Sequence, residues 1–242
     1  MRPTERKRVF SEIFRSTLLE NGYVENKYVF YKIDYENRIL KFIYMVSFTA
    51  GHAVKICFEI VPFILKADPR LPQSGRYETF TLDDVYLQIK GKRGITFWTD
   101  CYFEDDFKRT MKGALDEFKE VLLVPLNNVN SLSDYIQFME KMFPDYGMFG
   151  DRGIMSYLAN GDLEKAQAVA QHAIEDIEEV LNDECTMCVL TDKKKEEYRI
   201  SIEQLNKEMK SDFRTYRLEM EDNERQSFLL NHSFFEKIRK SK

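Results

Sequence analysis

The chain has 242 residues, 43% of them hydrophobic and 32% charged, with a formal net charge of −5. That length suits one large domain or two small ones, and the acid excess offers no global attraction for a nucleic-acid backbone. No apolar run is long and charge-free enough to span a bilayer, and four cysteines in so long a chain are not a disulfide framework. The expected setting is therefore a reducing cytoplasm, with neither nucleic acid nor membrane as partner. The basic opening MRPTERKRVF leads into an amphipathic pattern rather than an apolar leader, so no signal peptide is expected.

Residues 4–21 place Val9, Phe10, Ile13, Phe14 and Leu18 at helical spacing, with Glu5, Arg8, Glu12 and Arg15 opposite. Asn21-Gly22 supplies the stop, since glycine tolerates the left-handed conformation that follows a last turn. Val29, Tyr31, Ile33 and Tyr35 alternate with Phe30, Lys32 and Asp34, which predicts a strand, and Glu36-Asn37 suits a reversal.

Arg38–Leu65 is the centre of the pattern. Leu40, Phe42, Tyr44, Val46 and Phe48 fall on even positions of a first arm, and Val54, Ile56, Phe58 and Ile60 on even positions of a second. Successive strand side chains point to opposite faces, so each arm has one apolar face. With a turn at Ala50-Gly51-His52, the even residues of both arms are expected under helices. The odd face, carrying Lys41, Ser47, Lys55 and Glu59, is then the surface left for a partner or for solvent.

The segment KADPRLPQSGR reads as a loop. VYLQI (85–89) and ITFWT (95–99), flanking Gly91-Lys92-Arg93-Gly94, predict one more hairpin that extends the sheet. From Asp105 the period becomes helical through Phe107, Met111, Leu115, Phe118 and Leu122, with Pro125 expected to end the run. A further helix is expected from Ser131 or Ser133 to Pro144, then a turn-rich linker DYGMFGDRG. Ile154–Leu158 and Asp162–Leu181 follow as a helical pair split at Asn160-Gly161. From Asp192 the chain is densely charged in both signs around a narrow seam of Tyr198, Ile202, Leu205, Met209, Phe213, Tyr216 and Met220. This predicts one long helix laced with ion pairs.

The expected fold is α+β, with an antiparallel sheet of four to five strands packed against helices. The expected division is a domain over residues 1–185 and a charged helical extension over 192–242, the latter able to mediate self-association.

Four constellations invite chemistry. Cys185-Thr186-Met187-Cys188 has the spacing of half a zinc site or a redox pair, but it lacks a second ligand pair and trails a helix instead of opening one. Gly147, Gly150 and Gly153 form a glycine series, but no strand precedes it and no lysine-hydroxyl pair follows, so a linker is the better reading. Glu175, Asp176, Glu178 and Glu179 share one helix and read as its solvated face. Trp98 lies in a predicted strand, where core packing is its expected role. Cys57, Cys101 and the histidines His52, His172 and His232 are scattered. No catalytic, cofactor-binding or metal-binding residue is assigned, and no cofactor is expected.

The opening KRVFSEIFRSTLLENGY, then YVFYKID and the strand pair, Trp98, the run FKRTMKGALDEFKEVLLVPLNNVNSLSDYIQFMEK and the closing YLANGDLEKAQAVAQHAIE occur in a telling order. Over residues 5–185 they resemble a bacterial family of unknown function built of an N-terminal helix, an antiparallel sheet and closing helices. Some members of that family lie near toxin–immunity or defence loci. The resemblance implies no catalytic residues. It implies a non-enzymatic protein-binding module of immunity-like or regulatory type. The alternative is an enzyme whose site is assembled from distant residues.

Overall fold

A computed structural model describes residues 1–47, 54–70, 80–96, 103–144, 147–183 and 190–240. Among them are helix α1 (Pro3–Glu20), strands β1 (Val24–Asn26), β2 (Val29–Asp34), β3 (Ile39–Ser47) and β4 (Val54–Pro62), and a 3-10 turn at Phe63–Leu65. Strand β5 (Phe80–Thr81) leads into helices α2 (Leu82–Lys90), α3 (Glu104–Val121), α4 (Leu123–Asn128), α5 (Leu132–Met142) and α6 (Gly150–Ala159). Helices α7 (Leu163–Asn182), α8 (Asp192–Lys210) and α9 (Arg214–Lys240) close the chain. The fold is α+β, and the sheet is antiparallel with five strands in sequence order. Among the described residues, no helix is long and apolar enough to cross a membrane.

Register decides what each strand presents. Ile43 pairs with Phe58 and Phe42 with Glu59, so odd residues of β3 share a face with even residues of β4. One cross-strand row runs Phe30, Ile43, Phe58, Phe80. It lies in the main core beneath Phe10, Phe14 and Leu18 of α1, Phe107, Met111 and Phe118 of α3, and Phe138 of α5. Phe14 lies 4.7 Å from Phe10 and 5.7 Å from Phe118, centroid to centroid, so aromatic contacts bind α1 to α3. The opposite row runs Val24, Tyr31, Phe42, Glu59. It belongs to a second core with Leu40, Tyr44, Cys57, Val61 and Phe63, closed by Phe235 from α9.

This register overturns the expectation that the even residues of both arms lie together. Lys41 and Glu59 lie on opposite faces, and both are buried; Ser47 is half-buried and Lys55 exposed. The sheet therefore has no open odd-numbered face.

Two further expectations are corrected. Residues 82–90 form α2 rather than a strand. Thr81 accepts a hydrogen bond from the Asp84 backbone N–H while Asp84 reaches back to the Thr81 N–H, a capping box, and Gly91 closes the helix at φ +68°. Residues 95–96 of the other predicted strand are not strand, and 97–102, with Trp98 and Cys101, lie outside the described residues. α3 stops at Val121, whose carbonyl Pro125 cannot bond for want of an N–H, so the run ends there as expected; a short helix, α4, then follows at once with Pro125 in its first turn. The charged segment is two helices, α8 and α9, separated where Asp212 and Phe213 both take φ +54°. Phe213 is fully buried, so core packing holds this break against the left-handed cost of a bulky residue.

The C-terminal helix docks on the sheet through polar anchors. Ser227 Oγ accepts from the Ala67 N–H (2.8 Å) and donates to the Phe63 carbonyl (2.9 Å). Asn231 Nδ2 donates to the Ala67 carbonyl (2.7 Å), and Asn223 Nδ2 to that of Ile64 (3.0 Å). These side chains satisfy backbone groups of the buried 63–67 turn. An ion pair of 2.6 Å joins Arg38 to Glu224 at the rim.

Candidate functional site

Strand β5 pairs with β4 only at Cys57 and Phe58, so among the described residues no strand lies beside β4 beyond Phe58 on that edge. Helices take the space instead. α5, α6 and α9 and the turn at Leu65-Lys66 surround a cavity of about 290 Å³. Glu59 and Phe42 line its floor, Tyr135 and Arg152 its side, and Lys66, Asp151, Glu219 and Asn223 the remainder of its polar wall.

Glu59 is the unusual group. Its residue is 4% exposed, and its Oε1 has no hydrogen-bond partner. A buried, unpartnered carboxylate is costly, so desolvation favours the neutral acid; the Arg152 charge opposes this only in part, and the pKa rises to about 7. Burial likewise pushes the Tyr135 phenol up and keeps it protonated. Arg152 lies over the Phe80 ring, 4.9 Å from its centroid, a cation–π contact that holds the guanidinium beside the cavity. Among the described residues no carboxylate lies within ion-pair distance of Arg152 or Lys66. Asp151 accepts a hydrogen bond from the Tyr216 hydroxyl (2.6 Å), which ties α6 to α9 across the cavity mouth.

The local sequence explains why α6 reaches the site. Gly150 opens the helix at φ +54°. A Cβ on Gly153 would stand 2.2 Å from the Met148 carbonyl oxygen, so only glycine lets the 147–149 turn fold against the helix that carries Asp151 and Arg152. The glycine series is thus neither a phosphate cradle nor a plain linker, because two of its members lie in α6.

Other polar clusters read as structural. Lys41 donates to the Leu126 carbonyl at the end of α4 (2.8 Å), and Lys32, its cross-strand partner, to Asn127 Oδ1 (3.3 Å). Burial, reinforced by the Lys32 charge, pulls the Lys41 pKa down to about 8. Asp83 and Glu117 hold the 94–96 turn, Asp83 by accepting from Thr96 Oγ1 (2.6 Å) and Glu117 by accepting from the Ile95 N–H (3.0 Å). Burial raises both carboxyl pKa values; the Asp83 charge adds to the rise at Glu117, and the Asp84 charge to the rise at Asp83.

Cys185 and Cys188 lie outside the described residues, as does the turn at Ala50-Gly51-His52. In the acidic cluster of α7, Glu175 accepts from Gln171, and Asp176 lies 3.2 Å from His172 on the helix surface. Among the described residues no group of three or more His, Cys, Asp or Glu side chains could hold a metal ion. Sequence reasoning noted Glu59 as a charge on a strand but assigned it to a partner-facing surface. Tyr135 and Arg152 come from the successive helices α5 and α6 and Asn223 from α9, and no local motif joins them.

No family model matches the chain, and neither a curated protein nor a solved structure matches it.

Proposed function

We propose that this protein binds a small polar ligand in the cavity beside β4, with Glu59 as its central recognition group. One observation carries the reading: Glu59, a nearly fully buried carboxyl group with an unpartnered oxygen, is among the residues that line a cavity. Buried polar atoms are almost always satisfied, and an exception in a concave site with a displaced pKa is a hallmark of a functional group. The site is assembled from distant segments, as the enzyme alternative requires, and an acid near neutrality is suited to proton exchange. Turnover lost on Glu59→Gln would extend binding to catalysis. For binding itself, wild-type protein and Glu59→Gln are screened by thermal shift against a library of small polar compounds. Compounds that raise the Tm of the wild type and not of the variant support the site, whereas equal shifts in both or no shift in either count against it.

A second reading concerns protein association. Leu218 (59% exposed), Phe228 (47%) and Leu229 (64%) lie on the outer side of α9. With the sheet covered, a protein partner, or a second copy of this chain, would meet this surface. Self-association predicts a sedimentation mass above that of the monomer, falling to the monomer on Leu229→Lys; a wild-type monomer removes the self-association form of the idea.

A further inference from the structure

The cavity contains unmatched groups of both signs. Glu59 Oε1 is an acceptor without a donor. Arg152 and Lys66 line the cavity without an ion-pair partner among the described residues. Asp151 already accepts from the Tyr216 hydroxyl, and Asn223 Nδ2 already donates to the Ile64 carbonyl, so each has one fixed contact. Glu219 sits exposed at the rim.

We propose that the ligand is a small zwitterion of the free amino-acid class, its ammonium on Glu59 and its carboxylate on Arg152 and Lys66. This rests on the reading of the cavity as a binding site and names what the site takes. A cation alone on Glu59 would be repelled by the Arg152 charge that already acts on that carboxyl. An anion alone would leave Glu59 without a donor. A zwitterion supplies a charge-assisted partner to each, and the guanidinium offers the forked geometry a carboxylate accepts. The volume, about 290 Å³, lies at the small end of ligand pockets and suits an amino acid better than a nucleotide.

The charge pattern also sets a proton linkage. Glu59 is faced by Arg152 and Asp151 from α6, Tyr135 from α5, Lys66 from the turn and Glu219 from α9. An ammonium docking on the neutral acid favours its ionised form, so binding expels the Glu59 proton to solvent. Affinity therefore rises with pH up to about 7, the point at which Glu59 is already ionised in the free protein.

The test is titration calorimetry on the full chain at pH 6.5, in two buffers of different ionisation enthalpy. The probes are a set of free α-amino acids, with ethylamine and acetate as single-charge controls and uncharged polyols and nucleosides as neutral ones. At least one amino acid should bind at least tenfold more tightly than any control and release a substantial fraction of a proton. Glu59→Gln should abolish that release. Arg152→Gln and the exposed Lys66→Gln, which carries no risk of exposing a core, should weaken binding several-fold while the release persists. Tight binding of acetate, ethylamine or a neutral probe, sensitive to Glu59→Gln, would overturn the zwitterion class and leave the small-ligand reading intact. Silence from every probe would overturn both.

Discussion

The two faces of the sheet are built on different terms. On the first, the row Phe30–Ile43–Phe58–Phe80 meets α1, α3 and α5 through a large apolar and aromatic core, with Lys41 to the Leu126 carbonyl and Arg6 to Ser47 Oγ as polar contacts at its margins. On the second, the row Val24–Tyr31–Phe42 ends at Glu59, and the covering helix is held by Ser227, Asn231 and Asn223 bonding to backbone groups. Hydrophobic burial is non-directional, so the first face gains stability from any well-filled arrangement. Hydrogen bonds to a fixed turn add little net stability but specify where α9 must lie. The first face makes the fold stable, and the second positions a cavity and tolerates a buried acid inside it.

Substitutions can break this contrast in order of expected size. Phe14→Ala removes a fully buried ring from the first face and should cost about 3–5 kcal/mol, read as a lowered urea midpoint. Ser227→Ala strands the Ala67 N–H on the second face and should cost about 1–3 kcal/mol. Hydrogen exchange should then quicken in α9 and residues 63–67 while α1 and α3 keep their protection; uniform quickening would mean the two faces are not separable. Glu59→Gln should do the reverse and stabilise the protein at pH 8, by about 1–3 kcal/mol. The sign follows from the folded pKa of about 7 standing above the ordinary glutamate value of 4.5. The folded state holds the proton more tightly, so this group's contribution is full below about 4.5 and is lost as pH rises through 7. The wild-type Tm should fall over that window, and the variant's fall should be shallower. Glu197→Gln on α8, which breaks exposed pairs with Lys193 and Lys194, should change stability by less than about 0.5 kcal/mol in thermal melts.

Much of the fold was legible because periodicity reports burial. α1, β2, β3, β4, α3 and α5 all lie within a residue or so of where alternation or helical spacing places them. What failed was parity. A three-residue turn at 50–52 would pair residue 49 with 53 and keep even positions of both arms together. The observed pairing of Ser47 with Val54 puts odd with even, and so sends Glu59 to the opposite face from Lys41. Nothing in the alternation of either arm fixes that offset. α2 was missed for a different reason, since VYLQI alternates over a stretch too short to tell strand from helix. The signals that could decide it, Thr81 three residues before Asp84 and Gly91 after Lys90, lay at its ends. The candidate site was legible only as single residues. Its meeting of Glu59, Tyr135, Arg152 and Asn223 depends on where β5 stops and on the close turn at Gly153, which are tertiary facts.

The measurement closest to the centre of this account is a pH titration of the Glu59 side-chain carboxyl carbon by NMR, in the ligand-free protein. A midpoint near 7, well apart from the exposed glutamates, is the predicted result. A midpoint near 4.5 would mean that Glu59 is solvated or paired in solution, and the cavity would then lack the group on which its function is argued.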